Sequence, residues 1–449
     1  MVHVLNLSAG WKNAISPVFS WLLIFCSGIL ANAQEPQLEP RVSRVQMRLS
    51  FSEDEVDVIE KGDVLTVIED REDGYLIRTF SGRKGLVAKV NAVELAESMD
   101  IYSELIEAGN DEGRLYTLRA GAWWAANKND EALADFDKAI ELGYDAAHAF
   151  MSRGLFYASQ GNQEKAIEDY SKAIEKDPKD NAPRINRAAS YVMLGKHDLA
   201  IDDYSKTIEN QPSNAVLYQQ RAVAYKALGK TDEAIADFGK AIEAAGSKKP
   251  ECIPAQMSRG YLYFQLNKHE EAIEDFAAVI QINPQAAVAY NNRGYNLFQL
   301  GKAVDALRDY DEAIKLEPKY GLAHQNRAWL LATTDNKKIR DSKAAIESAT
   351  IACELSEYQD LSDMAALAAA TAANEEFDKA IGLQERVIEK AAPAQKPFAE
   401  KILELYQNHQ PFDPKVAEKL SADADKMAEQ TQPSETPKLP PEPVKKRAL

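Results

Sequence analysis

The sequence predicts a mainly α-helical protein in which about eight helical hairpins follow one another after a small β-barrel. Two observations lead to this fold class. From residue 113 onward the chain repeats itself about every 34 residues, with only small side chains at two fixed positions of each repeat. Between residues 42 and 92, short runs of β-branched and aromatic residues alternate with turn sequences. A chain of 449 residues exceeds one ordinary core, which agrees with this division.

The N-terminus predicts export. An apolar stretch from Ile15 to Leu30 ends at the small-residue cleavage pattern Ala-Asn-Ala, whose last residue is Ala33. The stretch is shorter than the roughly 20 residues that span a bilayer. We therefore expect residues 1–33 to be a signal peptide cleaved after Ala33, and the protein to be periplasmic or in the cell envelope. The alternative is an uncleaved membrane anchor.

Composition and motifs argue against catalysis. The formal net charge of −17 disfavours nucleic acid and anionic membrane surfaces as partners. The three cysteines, Cys26, Cys252 and Cys353, have neither a disulfide framework nor zinc-site spacing. The six histidines are scattered, and the sequence has no Gly-rich phosphate loop and no nucleophile elbow. We therefore predict no enzyme activity, no catalytic residues, no metal, no cofactor and no small-molecule substrate.

The segment 42–92 predicts the β-barrel. Four or five short strands, separated by turns at positions such as Gly62 and Gly74, fit a small barrel of some fifty residues. The segment resembles the bacterial SH3-like family, with Tyr75 at that family's first aromatic position and Leu86 where tryptophan is common. The resemblance implies a module that binds peptides or cell-wall material, or a folded spacer that caps the helices.

Small residues mark the places where two helices of one repeat cross. Position 8 of each block is glycine or alanine: Ala120, Gly154, Ala188, Ala222, Gly260, Gly294, Ala328 and Ala368. Position 20 is always alanine: Ala132, Ala166, Ala200, Ala234, Ala272, Ala306, Ala345 and Ala380. The period and these positions resemble the tetratricopeptide-repeat (TPR) family. The resemblance implies a solenoid of stacked hairpins whose first helices line a concave groove.

Flanking segments complete the predicted domain organisation. A single repeat cannot bury its own apolar face, so the two ends of the array need polar caps. We expect a capping helix in residues 93–112 and a second one at the end of the array, which spans residues 113–408. Residues 409–449 are rich in proline and charge, and we expect them to form a disordered tail.

Charged residues recur within the repeats. Position 7 is arginine and position 23 is aspartate in six successive blocks, on helix faces that should meet. We interpret them as a structural ladder of ion pairs, and the alternative is a row of arginines that grips an anionic ligand. The predicted pairs are Arg119 with Asp135, Arg153 with Asp169, Arg187 with Asp203, Arg221 with Asp237, Arg259 with Asp275, and Arg293 with Asp309.

The groove positions of repeats five to seven are aromatic and amide-bearing, which suits recognition of a peptide. We call these eight residues the predicted groove: Tyr261, Phe264, Asn291, Asn292, Tyr295, Phe298, Asn326 and Trp329. The alternative is that the rings pack against neighbouring helices or are covered by the C-terminal segment. The positions hold no cluster of lysine and arginine that would clamp a C-terminal carboxylate.

The resemblance thus predicts an exported, non-enzymatic scaffold that binds a protein or peptide partner in the concave TPR groove. The alternative function is a cell-wall-associated accessory protein that binds peptidoglycan or its peptides through the SH3-like domain. Regulation through oligomerisation of the array is a third possibility.

Overall fold

A computed structural model describes residues 38–50, 56–79, 81–109, 113–143 and 146–413. The predicted signal peptide and the predicted tail beyond Asp413 lie outside the described residues. The described chain is a helical-repeat solenoid preceded by an antiparallel sheet, so the predicted fold class is confirmed at this level. It divides into two compact units, one up to Asp237 and one from Phe238.

The first unit begins with strands, whose bounds are β1 (Arg41–Ser43), β2 (Met47–Ser50), β3 (Val56–Ile59), β4 (Val64–Asp70), β5 (Tyr75–Arg78), β6 (Lys84–Val87) and β7 (Ala92–Glu94). Five of them form one sheet in the order β6-β5-β4-β1-β7, and β2 pairs with β3. Leu65 and Val67 of β4 point to the same face and are buried with Ile77, because successive side chains of a strand alternate between faces. An SH3-like identity for these strands stays a prediction.

The capping helix predicted from residue 93 begins later. Ala92–Glu94 is strand β7, in which Val93 lies opposite Val42 of β1, and helix α1 spans Met99–Glu107. The prediction was wrong for the first residues because the edge of β1 offers unpaired backbone groups, which a neighbouring extended segment satisfies better than a helix does. The side chain of Tyr102 in α1 is fully buried and joins the core of the first repeat.

Helices occupy the rest of the described chain. Their bounds are α2 (Gly113–Ala125), α3 (Asn129–Leu142), α4 (Ala146–Ser159), α5 (Gln163–Lys176), α6 (Ala182–Met193), α7 (His197–Asn210), α8 (Ala215–Ala227), α9 (Thr231–Ala245), α10 (Ile253–Gln265), α11 (His269–Ile282), α12 (Ala287–Gln299), α13 (Ala303–Leu316), α14 (Gly321–Thr333), α15 (Ser342–Leu355), α16 (Leu361–Ala373), α17 (Phe377–Lys390) and α18 (Lys396–Gln407). The pairs from α2–α3 to α16–α17 are the eight predicted repeats, and α18 follows the last of them. The boundary between the two units falls within α9.

The small residues at positions 8 and 20 are buried in every repeat. Gly154 shows why a small residue is needed: a Cβ atom there would lie 2.7 Å from Cε1 of Tyr170. The same holds for Gly294, where a Cβ atom would lie 2.9 Å from Cε1 of Tyr310. The aromatic ring at position 24 therefore fills the space that the missing side chain leaves open, and the two helices of a repeat can approach closely.

Candidate functional site

All six predicted ion pairs are present with two hydrogen bonds each. In every pair the arginine Nε donates to one aspartate oxygen at 2.6–2.9 Å, and Nη2 donates to the other at 2.7–2.8 Å. This parallel geometry is the strong form of an arginine–carboxylate contact. The hydrogen bonding with Asp203 raises the pKa of Arg187 above its ordinary value. Because each guanidinium is engaged by its own repeat, the arginines do not form an open row for an anionic ligand.

The ladder arginines also form hydrogen bonds with the second helix of the preceding repeat. The sequence pattern did not predict these bonds. In the first unit, Nη1 of Arg187 donates to the hydroxyl of Ser171 at 2.9 Å, and Nη1 of Arg221 donates to Ser205 at 2.9 Å. Arg153 reaches Asp137 in the same way at 2.6 Å. Each acceptor stands 16 residues before its arginine, on the preceding repeat. The signal that could have predicted these bonds is a hydroxyl or carboxylate two residues after the ladder aspartate, as at Asp137, Ser171 and Ser205.

The same arrangement extends to both ends of the ladder. Nη1 of Arg119 donates to Ser103 of α1 at 3.0 Å, which ties the cap to the first repeat. In the seventh repeat serine replaces the ladder aspartate, and Arg327 donates to Ser348 at 2.6 Å and to Asp311 of the preceding repeat at 2.6 Å. At these five positions the arginine therefore joins its own repeat to the preceding element.

Gly239 offers a test of the third contact of a ladder arginine, which is the hydrogen bond from its Nη1 to the preceding element. It stands 20 residues before Arg259 and has no side chain, and a Cβ atom there would lie 3.4 Å from Nη1 of Arg259. Gly239→Ser is expected to raise the free energy of unfolding by about 1–2 kcal/mol. About 0.5 kcal/mol comes from helix propensity. The new hydrogen bond adds about 1 kcal/mol, the value of a typical bond, because the Arg259 side chain is 26% exposed. Urea unfolding followed by circular dichroism measures the change.

Gly382 in α17 is the matched control, because a Cβ atom there meets nothing within 4 Å. Gly382→Ser is expected to gain only the propensity contribution of about 0.5 kcal/mol. Equal gains at the two positions would show that the third contact contributes no stability.

The aromatic residues of the predicted groove form one cluster on the first helices of repeats five and six. The ring centroids of Tyr261 and Phe264 in α10 are 5.8 Å apart. Phe264 also meets Tyr295 of α12 edge to face at 5.2 Å. All three rings are partly exposed, and burial raises the pKa of Tyr295. The cluster thus joins two repeats while it keeps apolar surface open to a ligand.

The three predicted amides mostly bond each other. Nδ2 of Asn326 donates to Oδ1 of Asn291 at 2.9 Å, and Nδ2 of Asn291 donates to Asn292 at 3.2 Å. Asn291 is only 1% exposed. It therefore positions Asn292 and Asn326 between α12 and α14 and is not itself accessible to a peptide. The sequence pattern did not reveal this, since exposed and buried amides look the same in it.

Phe298 and Trp329 lie further along the predicted groove and have other neighbours. Phe298 lines a cavity of about 550 Å³ at the ends of α12 and α14. The ring of Trp329 meets Phe412 edge to face at 5.1 Å. Of the predicted groove, the ring of Trp329 thus contacts a described C-terminal residue, as the alternative interpretation expects for that position.

Tyr75 in the sheet region is flanked by two cations. The guanidinium of Arg41 lies 5.2 Å from the centroid of its ring, and Nζ of Lys89 lies 5.5 Å from it. Such cation–π contacts occupy the ring. Tyr75 therefore contributes little free aromatic surface to the binding of cell-wall material.

The described residues hold no candidate metal site and no helix that could span a membrane. Within residues 38–413, leaving out the undescribed gaps, no group of three or more histidine, cysteine or acidic side chains could hold a metal ion. The helices of that same part of the chain are all too short or too polar to cross a bilayer. Cys252 and Cys353 are buried and unpaired, and burial raises the pKa of Cys353 to about 12. A thiol with so high a pKa is a poor nucleophile.

Family models match four parts of the helical region. Those described as tetratricopeptide repeat match residues 118–181, 204–236 and 287–320. One described as TPR repeat matches residues 260–301. No curated protein matches the chain.

Several solved structures are similar to this chain. YrrB, described as a TPR protein with an unusual peptide-binding site, is 24% identical and covers 42% of this chain and 95% of its own, with a TM-score of 0.36. The C-terminal part of a TPR repeat-containing protein from Cytophaga hutchinsonii is 18% identical and covers 56% of this chain and 99% of its own, with a TM-score of 0.48. MamA from Desulfovibrio magneticus is 17% identical and covers 39% of this chain and 97% of its own, with a TM-score of 0.36.

Proposed function

From the tetratricopeptide repeats that this chain carries, we propose that it is a protein-interaction scaffold whose second unit binds a peptide segment of a partner. The observation that carries the proposal is the cluster of Tyr261, Phe264 and Tyr295, whose rings join two consecutive repeats and stay partly exposed. Aromatic rings of this kind offer large contact area with little loss of side-chain entropy.

The chemistry of the site indicates the kind of peptide. The rings favour apolar or aromatic side chains, and the amides of Asn292 and Asn326 are partly exposed next to them. Amides can bond the main chain of an extended segment whatever its sequence. The predicted groove has no basic residue of its own, so we propose an internal segment of the partner as ligand and not a C-terminal carboxylate.

The scaffold is proposed to act outside the cytoplasm. The apolar stretch and small-residue cleavage pattern of residues 1–33 support this placement. The absence of a catalytic constellation from the sequence fits a protein that acts by binding.

Phe264→Ala is the variant that tests the site. Since this ring contacts both Tyr261 and Tyr295, its removal is expected to weaken partner binding at least tenfold, which corresponds to about 1.4 kcal/mol. The partner is identified by affinity capture from envelope extract with the full chain, and its dissociation constant is then measured for each variant by calorimetry.

Tyr290→Ala is the matched control. Tyr290 lies on α12, the helix of Tyr295, but its ring packs against the ladder residue Arg293 at 5.6 Å. Circular dichroism establishes that both variants keep their helices. If Phe264→Ala and Tyr290→Ala bind the partner equally well, the aromatic cluster is not the binding site.

A further inference from the structure

One buried aspartate differs from all the others. Among the described residues, every other buried aspartate forms an ion pair with an arginine. Asp363, the third residue of α16, is 6% exposed and has no such partner in the described part of the chain. Burial penalises the ionised form of a carboxyl group unless a counter-charge compensates it. Asp363 is therefore a buried titratable group that neither the ladder nor the predicted groove uses.

Asp363 joins elements of the last two repeats. Its Oδ1 accepts a hydrogen bond from Nε2 of Gln325 on α14 at 2.8 Å, and Gln325 is itself only 8% exposed. The hydroxyl of Ser356, just after the end of α15, is within hydrogen-bonding reach of the same carboxyl group and lies 3.3 Å from the carbonyl oxygen of Cys353. We call Asp363, Gln325 and Ser356 the carboxyl joint. It connects the first helices of repeats seven and eight with the turn between α15 and α16.

An acidic neighbour increases the cost of ionising Asp363. Asp360 caps α16 by accepting the backbone N–H groups of Ser362 at 2.7 Å and of Asp363 at 3.3 Å. The N-terminus of a helix favours a carboxylate, but Asp360 already lies there and its charge opposes a second one. Burial raises the pKa of Asp363, the charge of Asp360 adds to this rise, and the hydrogen bonds with Ser356 and Gln325 do not cancel it.

The groups that α15 and α17 bring to the joint do not neutralise it either. Cys353 of α15 is uncharged, because burial raises its pKa to about 12, and Glu354 beside it adds a negative charge. The guanidinium of Arg386 on α17 lies 5.9 Å from the ring centroid of Tyr358 and forms no ion pair with Asp363. Within the described residues, the charge of ionised Asp363 is therefore uncompensated.

The turn that carries Ser356 is strained. Its next two residues, Glu357 and Tyr358, have left-handed φ angles of 50° and 55°, which are unfavourable for residues other than glycine. The N–H of Tyr358 donates to the carbonyl of Cys353 at 2.7 Å, and Nζ of Lys390 donates to the carbonyl of Tyr358 at 3.4 Å. Strain of this kind persists only where surrounding contacts hold it. The turn therefore opens more easily when a contact of the joint weakens.

We propose that the carboxyl joint is a pH-sensitive device, in which protonated Asp363 holds repeat eight against repeat seven and ionised Asp363 loosens this contact. In the protonated form the carboxyl O–H donates to the oxygen of Ser356, whose own proton turns to the carbonyl of Cys353. Gln325 donates to the carboxyl group in both forms. The hydrogen bonds of the joint are thus satisfied either way, and the two forms differ by one buried charge without a counter-charge.

The joint is tightest in acid. Since burial raises the pKa of Asp363, the folded chain binds this proton more strongly than the unfolded chain does. The stabilising contribution of the proton is fully present below the ordinary aspartate pKa of about 3.9. It is lost as the pH rises through the higher pKa of the folded chain. The contribution of Asp363 to the stability of α16 therefore falls with rising pH, opposite to that of a salt-bridged carboxylate.

Hydrogen exchange of the full chain tests the joint. Asp363→Asn keeps the size and the acceptor oxygen of the side chain but cannot ionise. Protection of the backbone amides of α16 is measured in both chains between about pH 4 and about pH 7, a range that begins at the ordinary aspartate pKa. The ratio of wild-type to variant protection cancels the intrinsic pH dependence of exchange, and it is expected to fall at least threefold across this range. A ratio that is constant or rises would overturn the proposal.

Asp341→Asn is the matched control. Asp341 lies at the start of α15 and accepts the backbone N–H groups of Lys343 and Ala344, but it is exposed. Asparagine caps a helix about as well as aspartate does. The ratio of wild-type to Asp341→Asn protection in α16 is therefore expected to stay constant with pH. If it falls as much as the ratio for Asp363→Asn does, the response does not come from the joint.

Carbon-13 NMR of the side-chain carboxyl groups is a direct second measurement. The resonance that Asp363→Asn removes identifies Asp363, and its titration midpoint is expected above the ordinary value of about 3.9. A midpoint at or below that value would overturn the proposal, whatever the exchange rates show.

The joint lies next to the predicted groove. Gln325 directly precedes Asn326, and Trp329 follows on the same helix, α14. An effect on partner binding rests on the proposed function, whereas the joint itself does not. The affinity for the captured partner is expected to fall at least threefold more between pH 5 and pH 7 in the wild type than in Asp363→Asn. If α16 protection responds as expected and this difference in affinity is absent, the joint stands and its link to the groove is refuted.

Discussion

Replacing Asp203 with alanine is expected to lower the free energy of unfolding by about 3 kcal/mol, and the melting temperature with it. Asp203 is 1% exposed and accepts two hydrogen bonds from Arg187. Its removal leaves a partly buried guanidinium without its counter-charge, and the loss of one partner of a buried pair costs about 3–5 kcal/mol in typical cases. The lower end applies because the Arg187 side chain is 20% exposed and keeps its bond to Ser171.

Asp202→Ala is the control for this variant. Asp202 is the adjacent residue and pairs with Lys206 at 2.6 Å, but both side chains are more than half exposed. Such a pair contributes about 0.5 kcal/mol or less. Urea unfolding monitored by circular dichroism compares the two variants. Similar losses for Asp202→Ala and Asp203→Ala would mean that the ladder is solvated and adds no more than a surface ion pair does.

Gly154→Ala is expected to lower the free energy of unfolding by about 2 kcal/mol. The added Cβ would lie 2.7 Å and 2.8 Å from two ring atoms of Tyr170, which is fully buried and cannot move aside. Overpacking of this kind lowers the free energy of unfolding by about 1–3 kcal/mol. The higher helix propensity of alanine offsets at most about 1 kcal/mol of that loss. Differential scanning calorimetry and urea unfolding measure the effect.

Gly121→Ala is expected to have the opposite sign. Gly121 is also a mid-helix glycine of the first unit, in α2, but an added Cβ meets nothing within 4 Å. The substitution therefore only improves helix propensity and should raise the free energy of unfolding by about 1 kcal/mol. If both variants are stabilised, the crossing at Gly154 is looser than its contacts with Tyr170 indicate.

These two glycines show how far the sequence pattern reaches. Gly154 stands at position 8, where every repeat has glycine or alanine, so its role in a close helix crossing could be predicted. Gly121 stands at position 9, where no such restriction holds. The same periodicity pairs position 7 with position 23 and so identified both members of each ladder pair. Repetition makes such contacts predictable because every block repeats the same local geometry.

The contacts that the pattern could not supply depend on single side chains. The repeats share a position for the acceptor on the preceding helix, but the residue there differs: Ser171 and Asp137 accept a bond, whereas Gly239 has no side chain to do so. Likewise Asn291 and Asn326 have the same residue type, but the first is buried between helices and the second is partly exposed.

The amino-acid sequence by itself determined the repeat period, the small residues at the helix crossings and the partners of the ion-pair ladder, because each of these is a local feature that recurs with the chain. Only the tertiary structure decided that β7 completes the sheet edge, that the arginines reach the preceding repeat, and that Phe412 returns to Trp329. These contacts occur once or join separate elements, and their energy depends on distances that no periodic pattern contains.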